Sequence, residues 1–381
     1  MNTGSADLTT GKGGLPMVKI RTPWSVAEIY LHGAHVAHLQ KNGESPLLFV
    51  SARSHFAAGE AIRGGVPICF PWFGNRAGEP SHGFARLAAW QLLKTVVAPE
   101  GGVTLTFALP QIPGREAAGV VVALGRGVRS LKIGQRVAYV HGASGSYSEL
   151  RNFPADRLVK LPAAISDEQA AAIMLKGLTA EYLLRRTYRV SAGDYVLVHA
   201  AAGGVGSLLT QWARRLGARV MGIVGSEAKA AVARRQGCHQ VFVAGRDDIV
   251  ASVRGYTRGQ MAHVVYDSVG KDTFIESLDS LRPRGMMVSF GNASGPVPAV
   301  APLELTRRGS LFLTRPSLFD YIAKHEELEA AARALFALVK SGKLRVAIGQ
   351  RYALQDAAQA HRDLEMRRTV GASVLIPGAT G

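Results

Sequence analysis

From Asp194 to Ala200 the chain is apolar almost without interruption, and within a few residues the spacing changes to one apolar position every three or four. The first pattern predicts a strand covered on both faces. The second predicts a helix from Gly206, with Leu208, Leu209, Trp212, Ala213 and Leu216 on one side and Gln211, Arg214 and Arg215 on the other. Gly217 ends that helix, and the run Arg219-Val-Met-Gly-Ile-Val-Gly225 supplies a second strand, which closes a β-α-β unit. Between strand and helix stands Gly203-Gly204-Val205-Gly206, with no bulky side chain before Val205. Main-chain amides in such a turn approach phosphate oxygens closely at a helix N-terminus, so the segment is expected to cradle a dinucleotide. A glycine cluster alone carries little; the flanking elements carry the inference.

Elsewhere the pattern divides the chain near Pro110. Before it, Val103, Leu105, Phe107 and Leu109 alternate with Thr104, Thr106 and Ala108, and a similar alternation surrounds Gly33 to Leu39, as in antiparallel sheet. From about Leu161 helical patterns alternate with apolar strands such as His263 to Asp267 and Gly285 to Phe290, as in a doubly wound α/β sheet. Residues 1 to 16 are polar and glycine-rich and read as a loose tail, without the apolar stretch of a secretion signal.

The end of the second strand bears on which dinucleotide is held. An acidic residue there hydrogen-bonds a ribose 2′-hydroxyl, whereas hydroxyl and basic groups accept a 2′-phosphate. The chain reads Gly225-Ser226-Glu227-Ala228-Lys229, so Ser226 and Lys229 favour NADPH, with Glu227 expected to point to solvent.

Composition narrows the remaining classes. With 381 residues, 47% of them hydrophobic, the chain is long enough for two or three globular domains. No apolar run approaches the roughly eighteen residues needed to span a bilayer, and a cytoplasmic location is expected. Two cysteines, Cys69 and Cys238, exclude a disulfide framework and a four-cysteine zinc site, and the histidines show no HExxH pairing, so no metal is expected. The formal charge of +17 favours non-specific contact with polyanions. Its arginine pairs (185–186, 214–215, 307–308, 367–368) fall on different predicted elements without interleaved aromatics, so no dedicated nucleic-acid site is expected.

Two resemblances complete the reading. Residues 113 to 377 resemble the zinc-independent NADPH:quinone oxidoreductases, the zeta-crystallin-like branch of the medium-chain dehydrogenase/reductase superfamily. The matching segments are Gly114-Arg-Glu-Ala-Ala-Gly119, Gly134-Gln-Arg-Val137, Leu175-Lys-Gly-Leu-Thr179-Ala, His199-Ala-Ala-Ala-Gly-Gly-Val-Gly206, Val265-Tyr-Asp-Ser268-Val-Gly270, Ser289-Phe-Gly-Asn-Ala-Ser-Gly295 and Leu313-Thr-Arg-Pro316. Residues 33 to 109 resemble the front part of a hexose-6-phosphate mutarotase, an aldose 1-epimerase relative, through Ser54-His-Phe, the run Ala61-Ile-Arg63-Gly-Gly-Val-Pro to Gly74, and His82-Gly-Phe-Ala-Arg86.

The fold these resemblances imply is α/β: a doubly wound parallel (Rossmann) sheet plus an incomplete GroES-like barrel, preceded by an antiparallel β segment of supersandwich type. The expected divisions are a tail at 1–16, a truncated mutarotase-like segment at 17–110, a partial GroES-like domain at 111–175, a Rossmann NADPH domain at 176–310 and a return to the substrate domain at 311–381. By resemblance Thr179, at a helix start, and Gly203, Gly204, Val205 and Gly206 contact the pyrophosphate and its surroundings. Gly225, Ser226 and Lys229 hold the 2′-phosphate, with Arg367 by the adenosine phosphate. Ala244 stands where relatives often have a tyrosine, and Arg246 nearby is a substitute cation. Ser268, Phe290, Gly291, Asn292, Thr314 and Arg315 lie along the nicotinamide side. The implied activity is hydride transfer from NADPH to a quinone-like acceptor, impaired by loss of the N-terminal half-barrel, with no side chain assigned as catalytic. Arg63, His82 and Arg86 are sugar-phosphate-binding remnants, which makes mutarotase activity the second reading and non-catalytic polyanion binding the third. A homo-oligomer or an aggregation-prone chain is expected from unpaired sheet edges.

Overall fold

The computed structural model describes residues 4–69, 73–75, 80–82, 85–109, 113–366 and 368–378. The chain forms two units, residues 1–111 and 112–381.

In the first unit, β1 (Ser5–Thr10), β2 (Pro16–Arg21), β3 (Ser25–Tyr30) and β4 (His35–Lys41) make an antiparallel sheet in chain order, and β5 (Gln91–Val97) pairs with β6 (Val103–Ala108) as a hairpin. Inward residues Val18, Ile20 and Ala27 pack with Leu92, Val103, Leu105 and Phe107, which is why the alternation along β6 was readable. A second cluster gathers Met17, Tyr30 and Ile62. The expected loose tail at 1–16 is a correction: Ser5–Thr10 pairs in register with β2, from Ser5 opposite Arg21 to Thr10 opposite Pro16. Main-chain bonds to an open edge hold this strand, so its polar side chains gave no pattern to read.

The second unit begins with a small antiparallel sheet, β7 (Glu116–Val120), β8 (Arg136–Val140) and β9 (Val159–Lys160). Helix α1 (Asp167–Tyr182) follows, opened by a capping box in which Ser166 Oγ accepts from Gln169 N and Gln169 Oε1 accepts from Ser166 N. Then come β10 (Tyr195–His199), α2 (Gly204–Arg215), β11 (Arg219–Val224), α3 (Glu227–Gln236), β12 (Gln240–Val243), α4 (Ile249–Tyr256), β13 (Ala262–Asp267), α5 (Phe274–Asp279), β14 (Leu281–Ser289), α6 (Leu303–Arg307) and β15 (Phe312–Thr314). The six strands lie in the order β12-β11-β10-β13-β14-β15, and every pairing is parallel. From β10 the chain moves outward through β11 to β12 and then crosses back to β13 on the other side of β10, so the carboxyl ends of β10 and β13 flank a switch point. The sixth strand passes the boundary expected at 310 because its backbone pairs with β14, and α1 spans the one expected at 175 because its buried side belongs to the main core. Helices α7 (Leu318–Tyr321), α8 (His325–Lys340) and α9 (Ala357–Glu365) and the parallel pair β16 (Ile348–Ala353) and β17 (Ala372–Ile376) complete the unit.

One core runs through the sheet and its covering helices. Val196, Val198, Leu209, Val220 and Val264 are fully buried, as are Leu178, Leu183 and Leu335 on the helices. Each such side chain stabilises the fold by about 1.5–3 kcal/mol relative to exposure. The opposite face of the sheet packs Leu197, Met221, Val265 and Met287 against α4 and α5 residues Ile249, Val253, Phe274 and Leu278. Both faces of β10 are covered, as its continuous apolar run required.

Candidate cofactor cleft

The turn after β10 is shaped by close contacts. Ala200 takes φ +50°, its carbonyl accepts from Gly203 N at 2.8 Å, and a Cβ on Gly206 would collide with that same carbonyl oxygen. Gly206 is therefore the residue that lets α2 begin against the strand. Beneath the turn Gly222 of β11 fills a similar need: an added Cβ would stand 2.6 Å from Cys238 Sγ and 2.8 Å from Ala201 Cβ. Gly203 caps α2 with extended backbone and no side-chain bond. The first-turn amides of α2, at Gly204, Val205 and Gly206, thus have neither an intrahelical nor a capping acceptor and carry the positive end of the helix dipole. Such a helix start attracts an anion, and the Lys176 side chain lies beside it against Gly204.

A buried polar network supports the cleft floor. Asp267, at the end of β13 and fully buried, accepts Val269 N at 2.7 Å and Gly270 N at 3.1 Å on Oδ1, and Thr273 Oγ1 at 2.8 Å and Ser277 Oγ at 2.9 Å on Oδ2. Ser277 Oγ is also 2.9 Å from His199 Nε2. A hydroxyl has one proton, here given to the carboxylate, so Nε2–H of His199 donates and the ring is the neutral Nε2 tautomer. Burial pushes the His199 pKa below its ordinary 6.5, with Asp267 opposing. The last residue before the phosphate turn is thereby tied to the loop that follows β13.

That loop meets the one after β14. Phe290 N donates to Asp267 O at 2.8 Å, Ala293 N to Ser268 O at 3.2 Å and Ser294 N to Val269 O at 2.8 Å. Gly291 is backed so closely onto Ser268 that a Cβ there would meet the Ser268 carbonyl. Ser268, Gly291 and Asn292 are brought together in this way, while Phe290 packs partly against the main core. Thr314 pairs with Val288 at the edge of the sheet. Arg315 acts on Tyr182, whose phenol burial and Tyr321 push well above its ordinary 10 while Arg315 pulls it down.

Several expectations are corrected. Thr179 lies inside α1, not at a helix start; it is buried and its Oγ1 donates to Leu175 O at 2.7 Å. Ser226 Oγ caps α3, accepting from Lys229 N at 3.4 Å, and keeps its own proton to donate. Glu227 is exposed but not free, because Arg246 and Arg234 both bond it, and Arg246 is in turn engaged by Asp247 and so is no loose substitute cation. Arg367 lies outside the described residues. In the first unit Arg63 is joined through its main chain to Ser51 and Ser54, and His82 Nδ1 accepts from Gly74 N at 3.0 Å with φ +62°. Arg86 Nε is buried without a partner, and no hydrogen bond links these three among the described residues.

Reasoning from sequence passed over Lys176 and Glu116, although both sit in quoted motifs. The Lys176 stem lies against Gly204, and its Nζ pairs with Glu116 Oε1 at 2.5 Å while Glu116 Oε2 accepts Leu175 N at 2.7 Å. The strand β7 is bolted in this way to α1 beside the phosphate turn. A charged pair sixty residues apart leaves no signal in local periodicity. Among the described residues no group of three metal-binding side chains stands together, and no helix is long and apolar enough to cross a membrane.

Comparison with known proteins agrees with both parts of the chain. The family described as zinc-binding dehydrogenase matches residues 204–337, and the family described as aldose 1-epimerase matches residues 16–136. A quinone oxidoreductase of Pseudomonas aeruginosa is 49% identical over 269 residues, 71% of this chain and 83% of the relative. A 2-haloacrylate reductase of a Burkholderia species is 41% identical over 323 residues, covering 83% of this chain and 97% of that one. The crystal structure of Escherichia coli quinone oxidoreductase complexed with NADPH superposes with a TM-score of 0.69 at 50% identity, over 71% of this chain and 83% of that one. With its parallel sheet, its uncapped glycine turn and relatives at this level of identity, the chain belongs to the quinone oxidoreductase family.

Proposed function

We propose that the chain binds NADPH along the carboxyl edge of the parallel sheet and passes hydride from it to a quinone or similar small acceptor. The observation that carries this reading is the uncapped first turn of α2, whose amides face outward where Gly206 keeps the turn tight. NADPH, when bound, supplies the reducing chemistry. The protein's part is to hold and orient. Amides of Gly204, Val205 and Gly206 take the pyrophosphate, with Gly203, whose own amide is bonded to Ala200 O, closing the turn, Thr179 shaping α1 beside them and Gly225, Ser226 and Lys229 at the 2′-phosphate. Ser268, Phe290, Gly291, Asn292, Thr314 and Arg315 border the nicotinamide. A quinone needs no obligate side-chain acid, so none is assigned.

In this reading the coenzyme domain runs from Lys176 to Thr314, with residues 111–175 and 315–381 on the acceptor side. The sheet β7-β8-β9 gives that side few walls, so turnover is expected to be slow relative to cofactor binding. Self-association fits the exposed Phe312 and Leu313 on the edge strand β15, and size-exclusion chromatography tests it. A cytoplasmic setting suits a thiol, Cys238, that is buried and unpaired. Titrating NADPH by fluorescence or calorimetry tests the main proposal; no uptake at millimolar cofactor rejects it.

The family match over residues 16–136 favours one second reading, a hexose-6-phosphate mutarotase. Arg63, His82 and Arg86 would bind the sugar phosphate, and polarimetry on glucose 6-phosphate decides it. A rate no faster than buffer removes this reading.

A further inference from the structure

Strand β11 ends at Val224, and past Gly225 and Ser226 stands Glu227, the first residue of α3. A carboxylate at about this distance beyond a glycine-rich turn is what dinucleotide domains use to hold a free ribose 2′-hydroxyl. The same charge repels a 2′-phosphate. Taken alone, Glu227 therefore opposes what Ser226 and Lys229 favour.

Both of its oxygens are occupied. Arg246, on the segment after β12, donates from Nη1 to Glu227 Oε2 at 2.7 Å, and Arg234, two turns along α3, donates to Glu227 Oε1 at 3.2 Å. Arg246 is aimed by Asp247, through Nε to Oδ1 at 2.8 Å and Nη2 to Oδ2 at 3.0 Å, and Asp247 Oδ2 also accepts Val243 N at 2.7 Å. Val243 lies opposite Val224 in the sheet, so the arginine is mounted on the strand beside the ribose turn. Two carboxylates and two guanidiniums cancel, which leaves Lys229 to set the sign of the local charge. Removing Arg246 would return that sum to zero and release a carboxylate.

We infer that Arg246, seconded by Arg234, is a specificity-determining residue that ties Glu227 away from the ribose and so selects a dinucleotide carrying a 2′-phosphate. The inference rests on the NADPH reading above. Hydrogen bonds from Arg246 and then Arg234 hold the Glu227 carboxyl below the ordinary carboxylate range, so the clamp is charged at neutral pH. Planar guanidinium suits it better than an ammonium, since one side chain must grip two carboxylates at once.

The test titrates NADPH and NADH separately into the full chain by calorimetry, for wild type, Arg246→Ala, Glu227→Gln and the double variant, each first checked by circular dichroism. Arg246→Ala is expected to weaken NADPH by about tenfold and to tighten NADH severalfold, and Glu227→Gln alone to change NADPH affinity by less than about twofold. Adding Glu227→Gln to Arg246→Ala recovers most of the NADPH affinity, a rescue that a merely structural arginine would not give. Should Arg246→Ala lose its fold, Arg246→Gln and Arg234→Ala are read by the same ratio. An unchanged NADPH-to-NADH ratio, or a double variant no better than Arg246→Ala, overturns the clamp alone. A wild-type chain that takes up neither dinucleotide overturns the NADPH reading and the clamp with it.

Discussion

Replacing Asp267 by asparagine changes almost no volume, yet it strikes a buried carboxylate at the centre of a polar network. The carboxylate accepts four hydrogen bonds, two from amides on Oδ1 and two from the hydroxyls of Thr273 and Ser277 on Oδ2, with no exposed surface. An asparagine keeps one acceptor oxygen. If that oxygen stays with the amides, the new NH2 faces two hydroxyls, and Ser277 must turn its proton toward His199 just as Nε2–H of His199 loses its acceptor. Two bonds to a charged group are lost at about 1.5–3 kcal/mol each, so Asp267→Asn is expected to destabilise the unit by about 3–6 kcal/mol. All α-helices among the described residues lie after residue 166, so ellipticity at a helix wavelength during urea unfolding reports this unit alone. A fall in midpoint of about 1 M is expected, with weaker NADPH uptake because the loop after β13 loosens. A loss below about 1 kcal/mol would refute the proton assignment in this network, since it would mean the hydroxyls find other acceptors.

Further outcomes follow from the same geometry. Gly206→Ala is expected to abolish measurable NADPH binding while leaving helix content near wild type, because the new methyl collides with the Ala200 carbonyl and displaces the phosphate turn; calorimetry reads this. Glu116→Gln breaks a largely buried pair and should lower stability by about 2 kcal/mol in the same urea assay, and Lys176→Met in that background should recover part of the loss. His199 and His263, both shielded from solvent, have pKa values below their ordinary 6.5, chiefly through burial. The unfolded chain then binds more protons than the folded one just below pH 6.5. Stability is full above that pH and falls as pH drops through the window beneath it, by up to about 1.4 kcal/mol per unit for each histidine, which thermal melts from pH 7.5 to 5 would show.

The parallel sheet was legible because its central strands β10, β11 and β13 are buried on both faces. The run from Val196 and the 3.6-residue spacing after Gly206 left little choice of element. Main-chain and long-range bonds escape that kind of reading. Ser5–Thr10 is held by its backbone, Glu116 meets Lys176 from sixty residues away, and Arg246 reaches Glu227 from the segment after β12. Thr179 was misplaced at a helix start because the capping box that opens α1 lies three turns earlier, at Ser166 and Gln169, away from the quoted motif. The glycines of the cradle were nominated for their lack of bulk; which of them is indispensable emerged only from the Ala200 carbonyl opposite Gly206.

Cys238 is wedged under the phosphate turn, with Gly222 on one side and Thr210 Oγ1 3.7 Å away, and burial pushes its thiol up to about 11. Sulfur oxygenation would add atoms where even a methyl has no room, so peroxide could reach this thiol only by first prising the strand-helix junction apart. An intact junction therefore shields the sulfur from oxidants. Conversely, any variant that loosens the turn should betray itself by a newly reactive cysteine before it shows any loss of helix.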